Sequence, residues 1–370
     1  MLLLSSFGFR ISTSVPILFV NFLLILKADD DFQVQLVQIL IRHGDRTPMR
    51  SFPTDQWKNA WPEGFGQLTK LGIQQAYSTG DYLRILYGVL INNTYNSETL
   101  HVQSTDTNRA LMSASATLAG FLPPQGRQIW KKNLKWQPVP VHTMPEKHDY
   151  ILAISQECPN YNKIYHELMK SPETLDINLK YKDLYKFLTD KTGMNVTHFN
   201  NASDIYDTLM AEQTHNLTLP DWVNKTILAD LKNTQILYEI WPVKTLALRR
   251  LYGGPLVGEI VKNMQTSISD KTDQHKIYIF SAHDTTITCL LSALEVFDPQ
   301  IPPYCSMVVV ELVEKQRSYF VNLLYRNDTH HVPYELTLKG CSNPCPLDQF
   351  VTLTASVIPK DIQSECYGVV

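Results

Sequence analysis

This 370-residue chain lacks features that define several classes of protein. Beyond its N-terminus it has no apolar run that approaches the ~18 residues of a membrane-spanning helix, so we expect the mature chain to be soluble. It has no basic surplus, because 33 Lys and Arg stand against 36 Asp and Glu. That balance argues against a nucleic-acid partner. It also contains no internal repeat and no low-complexity segment.

The N-terminus carries the only long apolar stretch. Arg10 precedes apolar residues 15–26, which are followed by Lys27 and Ala28. This pattern is typical of a secretory signal peptide and predicts that residues 1–28 are removed by cleavage near Ala28. A membrane anchor is the alternative, but the stretch is short and Asn21 interrupts it. Cleavage removes two basic residues and makes the mature chain more acidic.

Glycosylation sequons and cysteines agree with the secretory pathway. Six Asn-x-Ser/Thr sequons in one chain behind a signal peptide predict a glycoprotein. They begin at Asn92, Asn195, Asn201, Asn216, Asn224 and Asn327. The six cysteines suit an oxidising compartment, where disulfides persist.

The cysteines have an uneven distribution, since none precedes Cys158. Two pairs are suggested by position, one local and one joining the middle of the chain to its tail, and a third couple remains: Cys341–Cys345, Cys158–Cys366 and Cys289–Cys305. Six cysteines allow many pairings, so spacing alone does not choose among them. No second close Cys or His pair has the spacing of a zinc finger, and we therefore predict no bound metal.

Strands and helices alternate at the start of the chain. The hydrophobic periodicity predicts a strand at 33–42, a helix at 70–90, a strand at 100–103 and a helix at 107–121. Helical patterns then dominate at 160–170, 180–192, 203–213 and 225–252. A strand at 276–281, a helix at 285–294 and a hairpin of strands at 307–313 and 319–325 follow.

This order of elements predicts an α/β fold. We expect a mixed, mostly parallel sheet with helices on both faces. Residues 29–125 and 271–370 would form this α/β domain, and residues 126–270 a smaller, mostly helical cap domain inserted between its halves.

Three predicted strands end in polar turns. The first runs into Arg42-His43-Gly44-Asp45-Arg46, the second into Ser104 to Arg109, and the third into Ser281-Ala282-His283-Asp284. If these strands are parallel neighbours, the turns meet at one edge of the sheet, where ligands bind in open α/β folds. Converging guanidinium groups suit a phosphate, and they keep a nearby histidine neutral and nucleophilic. The pattern predicts a phosphoryl-transfer site.

These residues also carry a resemblance to a known family. Arg-His-Gly-x-Arg-x-Pro at 42–48 resembles the signature of the histidine acid phosphatases, and Ser-Ala-His-Asp-Thr-Thr at 281–286 resembles that family's second signature. The segments 61–69 and 104–114 are similar to its prostatic and lysosomal branch. The resemblance runs from residue 33 to the end of the chain and implies the histidine phosphatase fold.

The resemblance implies a role for each matching residue. His43 would attack phosphorus and become a phosphohistidine, and Asp284 would be the proton donor to the leaving alcohol. A carboxyl donor implies an acidic pH optimum. Four side chains would bind the phosphate: Arg42, Arg46, Arg109 and His283. The scheme needs no cofactor and no metal. Relatives of this branch form dimers, so a homodimer is expected.

The expected function is a secreted acid phosphatase, a phosphoric monoester hydrolase acting on small phosphate esters and on phosphoproteins. A phytase or inositol-phosphate phosphatase is the alternative, although an acidic chain does not favour such highly anionic substrates. An inactive secreted binding protein is disfavoured because His43 and Asp284 are both present.

Two departures concern location and disulfides. The chain ends at Val370 without a membrane helix, so we expect secretion, with the lysosomal lumen as the alternative. Ala211 and Met307 stand where members of the branch carry cysteines, whereas Cys289 and Cys305 are extra. The extra couple would form a substitute bridge, and this leaves the disulfide map open.

Overall fold

A mixed sheet organises the residues that the computed structural model describes, 32–153 and 158–368. The predicted signal peptide lies outside these residues. In chain order the strands are β1 (Gln33–Arg42), β2 (Leu100–Thr105), β3 (His142–Met144), β4 (Ile277–Ala282), β5 (Met307–Lys315), β6 (Ser318–Arg326), β7 (Tyr334–Leu336) and β8 (Cys345–Pro346). Their spatial order is β3-β2-β4-β1-β5-β6-β7, with β8 beside β6.

The predicted mixed sheet is confirmed, but antiparallel pairs have a larger share of it than expected. β3, β2, β4 and β1 pair in parallel, and every pair from β1–β5 onward is antiparallel. β1 lies at the centre and is buried on both faces, which explains its nearly continuous apolar sequence. Leu36 and Leu40 contribute to one hydrophobic core, whereas Ile39 and Ile41 contribute to the other.

Helices cover both faces of the sheet. One face packs against α1 (Lys70–Tyr87) and α2 (Asn108–Phe121), whose buried residues join the core that contains Ile39. The other face packs against α9 (Gly254–Ser269), α10 (Asp284–Ala293) and α11 (Leu347–Thr354). The short α12 (Ile362–Tyr367) follows near the C-terminus.

The middle of the chain supplies the remaining helices. They are α3 (Pro159–Met169), α4 (Pro172–Lys180), α5 (Lys182–Thr192), α6 (Phe199–Thr214), α7 (Lys225–Ile240) and α8 (Leu246–Tyr252). α5, α6 and α7 share a hydrophobic core of their own, with Leu188, Ile205 and Leu231 fully buried. Within the expected cap segment 126–270, β3 joins the sheet and α9 packs on it. The domain boundaries stay a prediction.

The helix expected over 225–252 is divided in two. α7 ends at Ile240, a 3₁₀ turn covers Trp241–Val243, and α8 begins at Leu246. Pro242 lies in that turn, and proline cannot donate the backbone hydrogen bond that a continuous helix requires. The break places Glu239 in the last turn of α7.

Two disulfides are present, and the third expected couple is not bonded. Cys158–Cys366 and Cys341–Cys345 are bridged. The expectation for Cys289 and Cys305 was wrong, because both are free and buried. Cys289 lies on α10 with its thiol near Tyr252, whereas the Cys305 thiol meets Thr79 of α1. Since α10 and α1 cover opposite faces of the sheet, the two sulfur atoms cannot meet.

Candidate active site

The three polar turns predicted to converge lie at one edge of the sheet. β2, β4 and β1 are parallel neighbours, and Ser104, Ser281 and Ile41 stand in register across them. The chain therefore leaves all three strands on the same side. This confirms the expected adjacency and brings the side chains that follow each strand into one buried pocket.

His43 is held rigidly at the centre of this edge. It is 2% exposed, its backbone N–H donates to the carbonyl of Ala282 at 2.9 Å, and its own carbonyl accepts from Cys305 N–H at 3.2 Å. The ring Nδ1 lies 2.8 Å from the carbonyl of Gly44 and donates its proton there. This contact leaves Nε2 with a free lone pair, which receives a hydrogen bond from Arg109 Nε at 3.2 Å. Nε2 is thus the unprotonated nitrogen of the ring.

A glycine is required directly after this histidine. A Cβ atom on Gly44 would lie 2.2 Å from the carbonyl oxygen of Gly72 in the first turn of α1. The N-terminus of α1 can therefore approach the turn only because residue 44 has no side chain. Thr69 caps this helix by accepting from Gly72 N–H at 3.1 Å, and its hydroxyl donates to Asp45 at 2.5 Å. The turn and the helix are in this way fixed to each other.

The surroundings of His43 keep its imidazole uncharged. Burial lowers the pKa of His43 well below its usual value, and the positive charges of Arg42, Arg46 and Arg109 lower it further. His283, whose ring centroid lies 5.4 Å away, is also neutral, because burial and Arg109 lower its pKa to about 3. A neutral His43 remains available as a nucleophile even in acidic solution.

The three arginines are anchored by different partners. Arg42 Nη2 lies 2.6 Å from Asp284 Oδ2, and its guanidinium stacks 4.2 Å above the ring of Tyr304. Arg46 makes a bidentate pair with Asp207 of α6, at 2.9 and 3.0 Å. Arg109 bridges the two histidines, with its Nη2 at 3.4 Å from His283 Nδ1.

Two arginine N–H groups face no protein acceptor. The Nε atoms of Arg42 and Arg46 are buried and have no hydrogen-bond partner within the described part of the chain. Buried donors are almost always satisfied in native proteins. An oxyanion that reaches these groups would satisfy both. The same feature occurs at Arg84 and Arg249, outside the site, so it supports an anion-binding role only together with the position of the three arginines around His43.

Asp284 begins α10 directly after His283, and its Oδ1 accepts from the N–H of Thr285 at 2.8 Å. Burial alone would raise the pKa of Asp284, but the charges of Arg42 and Arg46 outweigh it and lower the pKa below its usual value. His283 Nε2 lies 3.0 Å from the Thr105 hydroxyl. Asp284 is thus an ionised partner of Arg42.

All six side chains predicted for the site lie in it, but several functional contacts escaped sequence reasoning. Asp207 and Tyr304 lie outside the segments that carry the family resemblance, whereas Thr105 lies within the similar segment 104–114. Asp45 is fully buried and accepts from His215 Nε2 at 2.8 Å. Nothing in the sequence predicts this contact, because His215 and Asp45 are 170 residues apart.

Comparison with known proteins agrees with this geometry. The profile of the histidine phosphatase superfamily (branch 2) matches residues 33–326. The chain belongs to that family. It is 39% identical over 361 residues to prostatic acid phosphatase of Homo sapiens, covering 96% of this chain and 93% of that one. It is 36% identical over 340 residues to lysosomal acid phosphatase of Xenopus laevis, covering 90% and 79%.

Solved structures of the same fold include a phytase from Citrobacter braakii. The TM-score is 0.70 at 16% identity, covering 90% of this chain and 99% of that chain. A Hafnia alvei phytase complex with myo-inositol hexakis sulphate has a TM-score of 0.69 at 17% identity, covering 92% and 99%. At such identities the likeness establishes the histidine phosphatase fold and not the substrate.

Proposed function

We propose that this protein is an acid phosphatase that hydrolyses phosphate monoesters through a phosphohistidine intermediate. One observation carries the proposal: His43 presents an unprotonated Nε2 among three guanidinium groups, two of which have a buried N–H donor without an acceptor in residues 32–153 and 158–368. Membership of the histidine phosphatase superfamily and about 40% identity to acid phosphatases support the same reaction.

The first half of the reaction transfers the phosphoryl group to the enzyme. Arg42, Arg46 and Arg109 hold the phosphate oxygens and stabilise the charge of the transition state, and His283 adds a further contact. Nε2 of His43 attacks phosphorus, an N–P bond forms and the P–O bond to the alcohol breaks. Asp284 gives its proton to the leaving oxygen.

The second half releases phosphate. Asp284, now a carboxylate, takes a proton from a water molecule as the water oxygen attacks phosphorus. The N–P bond breaks, inorganic phosphate leaves and His43 returns to its neutral form. Each turnover consumes one water, and Asp284 recovers the proton that it donated.

This mechanism requires a protonated Asp284, whereas its pairing with Arg42 favours the ionised carboxylate. A bound phosphate dianion competes for the charge of Arg42 and so raises the pKa of Asp284. Acidic solution supplies the proton. The proposal therefore includes an acidic optimum and a reaction that needs no metal.

Two variants test the scheme. His43→Ala should abolish hydrolysis and the acid-labile phosphoenzyme seen after quenching with labelled substrate. Asp284→Asn should still form phosphoenzyme from p-nitrophenyl phosphate, whose leaving group departs without protonation, but should hydrolyse glycerol phosphate very slowly.

Assays from pH 4 to 8, with and without a chelator, and with phytate as well as simple esters, complete the test. Undiminished activity of His43→Ala would overturn the mechanism, and a marked preference for phytate would favour an inositol-phosphate phosphatase.

The proposal includes export through the secretory pathway. In the residues described here no helix is both long enough and apolar enough to cross a membrane. Two disulfides and the sequons support passage through an oxidising compartment.

The sequon asparagines differ in exposure. Asn92, Asn195, Asn216 and Asn224 are exposed and are the proposed glycosylation sites, whereas Asn201 and Asn327 are half-buried. Release from the cell and delivery to the lysosomal lumen both fit these features.

A homodimer through the edge of the sheet is also proposed. β3 is the end strand, all three of its residues are exposed, and no strand among residues 32–153 and 158–368 pairs with its outer side. Trp130 and Trp136, which precede β3 in the chain and contact each other, are 56% and 42% exposed. An edge strand can pair with the same strand of a second copy across a two-fold axis, and exposed aromatic residues are typical of interface centres.

The proposed substrates are small phosphate esters and phosphoproteins.

A further inference from the structure

A second buried carboxyl group belongs to Glu239, in the last turn of α7. It is 1% exposed. Oε1 accepts a hydrogen bond from Gln235 Nε2 at 2.9 Å, and Oε2 accepts from Thr288 Oγ1 at 3.3 Å. Neither phosphate binding nor nucleophilic attack uses this group. A buried carboxylate is costly unless a cation or a proton neutralises it, so its presence calls for an explanation.

α10 connects Glu239 with Asp284. Thr288 follows Asp284 by four residues, so the two side chains lie one turn apart on the same helical face. The other titratable groups that interact with Glu239 come from β1, α10, β6 and its own helix: Arg42, Cys289, Tyr325 and Tyr238. Burial raises the pKa of the thiol and of both phenols, which therefore stay neutral. Arg42 is the one cation in this set.

Arg42 is the cation that interacts with both carboxyl groups. Arg42 is paired with Asp284 at 2.6 Å. Burial, and then the charge of Asp284, raise the pKa of Glu239 to about 8, while the pKa of Asp284 is lowered. Two such carboxyl groups titrate as a pair. Near neutral pH the pair holds one proton, and while Arg42 is paired with Asp284 that proton is on Glu239.

We propose that Glu239 is a positioning residue that stores a proton for Asp284. The inference rests on the proposed role of Asp284 as proton donor. When a phosphate dianion engages Arg42, the shared proton is favoured on Asp284 and leaves Glu239 as the anion. Asp284 gives the proton to the leaving oxygen, and the water that cleaves the N–P bond returns one. The pair thus ends each turnover with the proton that it began with.

The decisive experiment compares the pH dependence of kcat for Glu239→Gln and the unmodified protein, with glycerol phosphate as substrate. The amide keeps the shape of the side chain but stores no proton, so Asp284 must be protonated directly from solution. The alkaline limb should move to lower pH by about one unit, which lowers kcat about tenfold at pH 7.5 and changes it little at pH 5. With p-nitrophenyl phosphate the shift should be much smaller.

Glu212→Gln is the matched control. Glu212 is also fully buried, and burial together with Asp55 raises its pKa to about 8. It lies on α6, and the carboxylate that raises its pKa is Asp55, whereas the one that raises the pKa of Glu239 is Asp284. Its pH profile should keep the original alkaline limb. Glu239→Asp retains a carboxyl group and should restore most of the lost activity at pH 7.5.

Further variants make the result decisive. If Glu239→Gln does not fold, Thr288→Val, which removes the hydroxyl that donates to Glu239 Oε2 one helical turn from Asp284, should give a shift in the same direction. The inference would be overturned if the variant that folds, Glu239→Gln or Thr288→Val, kept the alkaline limb of the unmodified protein. It would also be overturned if Glu212→Gln shifted the alkaline limb equally. Asp284→Asn separates the two proposals. If it hydrolyses glycerol phosphate normally, the donor assignment itself fails, whatever Glu239 does.

Discussion

The pairing of Arg46 with Asp207 gives a sharp test of how the phosphate site is held. Asp207 accepts from both Nη atoms of Arg46 and from the backbone N–H of Met49 at 2.9 Å. The Arg46 side chain is 8% exposed and that of Asp207 is 22% exposed. Asp207→Asn replaces one acceptor oxygen with an NH₂ group that faces the guanidinium. The substitution therefore breaks one charge-assisted hydrogen bond and removes the opposing charge.

The expected loss follows from the value of such a bond. A charge-assisted hydrogen bond contributes about 1.5–3 kcal/mol. If Arg46 needs this bond to face the transition state, a loss of about 2 kcal/mol lowers kcat/KM about 30-fold. The fall should appear mainly in kcat, because removing a negative charge leaves the pocket more attractive to a phosphate. The inhibition constant of inorganic phosphate should accordingly not weaken in parallel.

Asp204→Asn is the control for this prediction. Asp204 lies three residues earlier on α6 and pairs at 3.2 Å with Arg50, whose side chain is 61% exposed. Exposed ion pairs contribute about 0–1 kcal/mol, so this variant should retain its activity. Steady-state kinetics at pH 5 and thermal melting of both variants complete the assay. A value of kcat/KM for Asp207→Asn within about threefold of the unmodified protein would refute the positioning argument.

Two further predictions concern stability and assembly. The pKa of Glu212 is raised from its usual 4.5 to about 8, so the folded chain keeps a proton that the unfolded chain releases between these values, and stability falls as pH rises through that window. Glu212→Gln should thus raise Tm more at pH 8 than at pH 5, and an equal change at both would contradict the prediction. For the dimer, Trp136→Glu should shift the sedimentation of the protein from dimer to monomer while kcat persists, and an unchanged dimer would exclude this edge as the interface.

Much of the site could be predicted from sequence because the chain itself places it. A buried strand that ends in a polar turn puts His43 and Arg42 at the edge of a sheet, and parallel pairing brings Arg109 and Asp284 to the same edge. These consequences follow from local patterns and from the regularity of parallel sheets. No information about distant packing is needed.

The contacts that were missed depend on how the helices of residues 159–252 pack against the sheet. Asp207 is 161 residues from Arg46 and lies in α6. The hydrophobic periodicity of that helix predicts which face is buried, but it does not predict that the helix packs against the turn that carries Arg46. Glu239 is recognisable as special only once α7 ends beside α10. The wrong expectation for Cys289 and Cys305 also concerned tertiary packing. Pairing the two remaining cysteines took no account of the sheet, which separates their thiols.

The pairing of Asp284 with Arg42 lowers the pKa of the proposed donor, so an acidic optimum must come from the complex with substrate. Arg42 and Arg46 are each paired with a carboxylate, that of Asp284 and that of Asp207. A phosphate dianion competes with Asp284 for Arg42, and whatever weakens that pair raises the pKa of Asp284. By linkage, protonation of Asp284 must then strengthen phosphate binding to the same extent. The pH optimum is therefore a property of the complex, set by how completely the phosphate displaces a carboxylate from Arg42.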